Sequence, residues 1–195
     1  MTRVHHKHSA AKKVCSSDAY DVAATYAPER TQISVSPNDG FWLQGGGVEA
    51  AVNFQRGLGL VASVSGGHAS NVTPGVDVNK VVVLGGERYT HTVWRPRKGP
   101  ARDRHLELFG QWLFGSVHGF GGVYPASGGV KSSATAFAMQ AGGGMNLALS
   151  RHFGLRLLDV EFLQTALPNN GSITQNDLRL ATGITVHFGA STAHR

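Results

Sequence analysis

The 195-residue chain contains a single cysteine, Cys15, so no internal disulfide can hold it together. Long apolar runs are also missing: charges or glycines interrupt each one before the about 18 residues that a membrane-spanning helix needs. If this chain resides in a membrane, it must therefore do so as a closed barrel. Charge is scarce at 15%, yet hydrophobic residues make up 41%, which excludes a wholly disordered protein and leaves one folded unit as the expectation. Glycine, by contrast, is plentiful at 26 residues.

The formal net charge of +6 is concentrated locally. Arg3, Lys7, Lys12 and Lys13 face only Asp18 near the start, and Arg95, Arg97, Lys98, Arg102 and Arg104 face only Asp103 in the middle. Two local patches on a near-neutral body do not make a basic stripe, so no nucleic-acid partner is expected. The tract Arg95 to Arg104 reads as a solvated turn, with attraction to anionic lipid or a surface polymer as its functional alternative. Residues 1–19 are basic, polar and without period, and read as a disordered tail. His5, His6 and His8 could hold a metal ion there, but no carboxylate or cysteine spacing completes a site, so a solvated arm is the better reading. The tail also lacks the apolar core of a signal peptide. Export requires an address, so the natural precursor is expected to start elsewhere.

What the chain does have is alternation. From Asp177 to Phe188, Leu178, Leu180, Ile184, Val186 and Phe188 share one parity, and Asp177, Arg179, Thr185 and His187 share the other. A period of two means a strand. Its length suits a tilted membrane strand of about 9–11 residues better than a soluble strand of about 5–6. Phe41 to Phe54 repeats the pattern, starting its apolar parity on Trp42 and ending it on Phe54, as two interfacial girdles would require. Further strands are expected at 20–27, from Leu58, at about 78–93, 106–117, around Phe137 to Leu147, and 153–164. That makes eight, joined alternately by short turns and by loops at 28–40, 66–77, 118–133 and 165–176, except that the basic connection Trp94 to His105, at about a dozen residues, breaks the short-turn pattern. Glu87 falls on the apolar parity near the end of its strand, where it can snorkel.

The stretches Leu84-Gly85-Gly86-Glu87-Arg88-Tyr89, Phe109-Gly110-Gln111-Trp112-Leu113-Phe114-Gly115, Phe137 to Gly144, Arg156 to Phe162 and Asn176 to Leu180 resemble the OmpA-like β-barrel domain of bacterial porin-family proteins. The resemblance covers about Tyr20 to Phe188. It implies an all-β, eight-stranded, antiparallel up-and-down transmembrane β-barrel over 20–188, without a catalytic site, followed by an extension over 189–195. It further implies a place in the cell outer membrane among lipid and lipopolysaccharide, insertion by the barrel assembly machinery, and loops that face outward. Unlike family members, this chain shows no signal peptide and runs past the terminal aromatic.

The inward parity gathers Glu49, Arg88, Glu107, Asp159, Glu161 and Arg179. Eight strands leave an interior that side chains just fill, so these charges are expected to plug it; a narrow pore is the alternative. Four acids against two arginines are unbalanced, so one acid must be protonated or paired with a cation that the parity does not reveal. His68-Ala69-Ser70-Asn71 resembles the His-x-Ser-Asn of lipid A 3-O-deacylases, in which an acid orients the histidine. Here Glu87, the acid of matching parity, is too far down the strand, so no catalytic residue is assigned. A soluble lipocalin-like barrel would turn the apolar parity inward, but its polar parity should then be rich in Lys and Glu rather than in Gly, Ala, Ser, Gln and Asn. The reading is a monomeric, non-enzymatic outer-membrane barrel, with no cofactor or metal.

Overall fold

The computed structural model describes residues 20–32, 40–73, 76–96, 103–126, 129–167 and 174–189. Its strands are β1 (Tyr20–Tyr26), β2 (Glu29–Gln32), β3 (Gly40–Asn53), β4 (Leu58–Thr73), β5 (Val76–Trp94), β6 (His105–Ala126), β7 (Gly129–Ala148), β8 (Phe153–Thr165) and β9 (Gln175–Phe188). Every pairing is antiparallel, and β1 and β2 both pair with β9, so the sheet closes into a ring.

Nine strands make eight staves. Tyr26 lies opposite Gly46 and Thr182, and Glu29 lies opposite Leu43 and Arg179, so the register runs unbroken from β1 into β2. Between them Ala27 N donates to Gly45 O at 2.8 Å and Leu180 N donates to Pro28 O at 3.1 Å. Pro28 lacks a donor but keeps its carbonyl, so it interrupts the ladder without ending the stave. The loop expected at 28–40 is therefore corrected over Glu29–Gln32, which is strand, and at Gly40, which opens β3; residues 33–39 lie outside the described residues.

The loops expected at 66–77 and 118–133 are corrected in the same direction. Strands continue to Thr73 and resume at Val76, and they continue to Ala126 and resume at Gly129. In these extensions glycines and polar residues break the apolar series, although Tyr124 still turns inward and is buried. No hydrophobic alternation marks them, and a Gly-rich sequence then reads as loop although its backbone pairs regularly. At the opposite end two of the three connections are tight, and the third joins Trp94 to His105. Gln55–Gly57 forms a single 3-10 turn in which Arg56 and Gly57 take positive φ of 68° and 83°. A Cβ at Gly57 would come within 2.2 Å of Thr90 O, so this turn requires glycine on two counts. At 149–152, Leu149 N and Ser150 N both donate to Phe153 O, and Phe153 N donates to Ser150 Oγ at 3.1 Å. Both chain ends of the ring, Tyr20 and Phe188, pair with each other at this same short-turn end.

The two faces of the wall divide by parity. All three tryptophans point outward and are about half exposed: Trp42 at 50%, Trp94 at 52% and Trp112 at 53%. Val48, Leu60, Val64, Val83, Phe114, Phe162, Leu178 and Ile184 share that outer surface. A lipocalin-like barrel would bury these residues, so the structure excludes that arrangement. The interior is not uniformly polar, however. Val82, Leu84, Leu113, Val117, Tyr124, Leu163 and Leu167 form a buried apolar cluster along its wall, and the polar groups occupy the remainder.

Candidate functional site in the barrel interior

Each strand contributes alternate residues to the lumen, and closure brings residues from distant strands into contact. Glu49, Arg88, Glu107, Asp159, Glu161 and Arg179 all lie inside and buried. Five of them meet at mid-height. Arg88 pairs with Glu49 and also donates to Gln111 Oε1 through Nε at 3.0 Å and Nη2 at 2.6 Å. Gln111 Nε2 in turn donates to Glu49 Oε2 and to Glu161 Oε1, both at 3.1 Å. Arg179 closes the web, donating to Glu161 Oε2 at 2.5 Å, Ser65 Oγ at 2.6 Å and Gln140 Oε1 at 2.8 Å. Glu107 stands apart, nearer the short-turn end, with His105 Nε2 at 3.1 Å.

A third arginine belongs to this web, at a position that strict alternation would turn outward. Arg156 has the parity of Leu158, but the pairing register of β8 with β9 shifts between Arg156 and Asp159. Leu157 and Leu158 then both face outward, and Arg156 turns inward at 2% exposure. Its Nη1 lies 2.8 Å from Glu49 Oε1 and 3.1 Å from Asp159 Oδ2. Arg156 is thus one of the cations that the acid excess required. The bulge has a simple cause, since an arginine held at lipid-facing parity in mid-strand would be costly, and one extra residue reverses its direction. The adjacent pair Leu157-Leu158 was the available signal.

The guanidinium carbons of Arg88 and Arg156 each lie 4.7 Å from the Phe109 ring centroid, so the two cations share an aromatic surface as well as a carboxylate. Phe109 has room because position 144 is glycine. A Cβ there would fall 2.9 Å from Phe109 Cζ and 2.2 Å from Leu158 O. Among Glu49, Ser63, Arg156, Asp159, Glu161 and Arg179 there remains a void of about 10 Å³, the size of about one water molecule.

Nearer the long-hairpin end is a second group that sequence reasoning did not assemble. Lys80 pairs with Glu29 and with Asp177 Oδ2, the latter at 2.8 Å, and all three are buried. Thr31 Oγ1 donates to Glu29 Oε1 at 3.2 Å. Glu29 was missed because it lay in an expected loop. Lys80 and Asp177 had the inward parity but no partner visible in the sequence.

The residues considered for catalysis lie outside the barrel. His68 and Ser70 are both exposed on β4, and His68 Nδ1 lies 2.7 Å from Asn79 Oδ1 rather than near a carboxylate. Glu87 lies opposite Leu60, eight positions down β4 from His68, or roughly 26 Å at the usual strand rise. Among the described residues no group of three His, Cys, Asp or Glu is placed to hold a metal. His5, His6 and His8 lie outside the described residues.

No protein-family model matches this chain, and a search of curated proteins finds no match. Solved structures do match in fold. The chain is similar to Neisserial surface protein A, at 12% identity and a TM-score of 0.58, over 87% of this chain and 97% of that one. It is also similar to Ail, the attachment invasion locus protein of Yersinia pestis, solved with the heparin analogue sucrose octasulfate. There the identity is 13% and the TM-score 0.52, again over 87% of this chain and 97% of that one. At these identities the likeness is one of fold: this is an eight-stave, up-and-down β-barrel of the kind seen in small outer-membrane proteins.

Proposed function

We propose that the protein is an integral outer-membrane β-barrel of a Gram-negative-type bacterium, a monomer with a structural or surface-interaction role. The observation that carries this reading is the inverted wall, with all three tryptophans and an apolar belt outside and an ion-paired web within. In water such a belt would be an aggregation surface; in a bilayer it is the solvent-facing side. The belt runs from Tyr20, Phe54 and Phe188 at the short-turn end towards Trp42 and Leu178, which matches the about 25 Å apolar band of outer-membrane barrels.

By this reading the short turns and the paired ends Tyr20 and Phe188 face the periplasm, and the long hairpins project outward. The latter include β6 and β7, with 22 and 20 residues, longer than spanning demands. That surplus length supports a role in surface contact. The plug supports a closed barrel rather than a pore, since the void within the web is about the size of one water. No catalytic residue is assigned, and the proposed surroundings are outer-membrane lipid and lipopolysaccharide, with delivery by the barrel assembly machinery.

The test is heat-modifiability. Detergent-extracted protein run on a gel with and without boiling should migrate at two positions, because a closed barrel resists detergent until heated. A protein that is soluble without detergent and shows no shift would sink the proposal.

A further inference from the structure

We infer that the mid-height web contains a binding site for one water molecule, which bridges Arg156 and Asp159 inside the barrel. Arg156 donates through Nε to Asn146 Oδ1 at 3.3 Å, and its Nη1 lies 2.8 Å from Glu49 Oε1 and 3.1 Å from Asp159 Oδ2. Its remaining nitrogen, Nη2, has no hydrogen-bond partner among the described residues, and neither has the remaining oxygen of Asp159, Oδ1. Both side chains are buried, at 2% and 1% exposure. A guanidinium nitrogen only donates and a carboxylate oxygen only accepts, so the two orphaned atoms are complementary. Left bare in the interior, each would forfeit the hydrogen bonds it makes in water.

The void within the web supplies the place. Arg156 and Asp159 both line it, together with Ser63 and Ser65. Thr165 Oγ1 and Asp177 Oδ1 also lack partners among the described residues, but neither residue lines this void. Its volume of about 10 Å³ admits a single non-hydrogen atom.

The lining also selects the kind of ligand. A metal cation would meet the guanidinium groups of Arg156 and Arg179, and an anion would meet the carboxylates of Glu49, Asp159 and Glu161. A neutral molecule that both donates and accepts suits the two halves of this lining, and at this size that molecule is water. It accepts from Arg156 Nη2 and donates to Asp159 Oδ1, and the hydroxyls of Ser63 and Ser65 offer a third bond. Arg156 and Asp159 thereby gain a second link beside their direct pair.

The experiment is a crystal structure of the detergent-purified full chain at a resolution that shows ordered solvent, with parallel crystals soaked in rubidium and bromide salts. One solvent peak should stand in the void, about 2.7–3.2 Å from both Arg156 Nη2 and Asp159 Oδ1. Neither soak should give an anomalous signal there. A second measurement uses Ser63→Thr, which adds to the lining one methyl group of about the bulk of the water it should displace. The magnetic relaxation dispersion of the water oxygen, recorded on folded barrels in detergent, should fall by one long-lived molecule in this variant. A dry void, an anomalous peak within it, direct contact between Nη2 and Oδ1, or a dispersion that Ser63→Thr leaves unchanged would each overturn the inference. The site lies inside the closed ring, so a barrel found soluble without detergent would refute the membrane reading and leave this inference standing.

Discussion

The interior contains two charged assemblies of different construction, and the contrast shows how a barrel can be locked. At mid-height Arg88, Arg156 and Arg179 share Glu49, Asp159 and Glu161, with Gln111 and Gln140 bridging them, so most charges have more than one partner. Towards the long hairpins, Lys80 alone serves both Glu29 and Asp177. The first is a web and the second a clasp. A web redistributes the loss of one member, whereas the clasp has a single cation on which two buried carboxylates depend.

That difference sets the order of expected effects. Lys80→Met should cost most, about 3–5 kcal/mol, because it leaves Glu29 and Asp177 buried together without the cation they share. Urea unfolding of the reconstituted barrel, followed by loss of the fast-migrating gel form, measures it. Arg156→Met should cost about 2 kcal/mol in the same assay, since Glu49 keeps Arg88 and only Asp159 loses its close cation. If Arg156→Met proved as damaging as Lys80→Met, the distinction between web and clasp would fail. Gln140→Leu should cost about 1 kcal/mol, the value of a bridging amide whose partners Glu161 and Arg179 still pair with each other. At the rim, Arg151→Gln should move stability by less than about 0.5 kcal/mol, because that side chain is 79% exposed and its pairing with Asp103 is screened. A rim substitution as costly as Gln140→Leu would show that the contrast between interior and surface had been drawn too sharply.

How far the sequence could be read depended on the surroundings of each segment. From Asp177 to Phe188 the alternation of leucines with Asp177, Arg179 and His187 shows directly which side faces in, because one face meets an apolar medium and the other a crowded polar lumen. Residues 118–126 lack that contrast and read as loop, although they pair as strand. Pro28 misled in another way, as a supposed break in a stave whose register is uninterrupted.

The sequence by itself determined the staves, their two faces and the inward position of Glu49, Arg88, Glu107, Asp159, Glu161 and Arg179, because a period of two is a local property of an extended backbone. The tertiary structure alone decided which of those charges meet. Lys80 reaches a carboxylate 51 residues away and another 97 residues away, and Arg179 reaches Ser65 across 114. Such distances are set by how the ring closes and by one bulge at Leu157-Leu158. Both are properties of pairing between strands, and no single strand contains them.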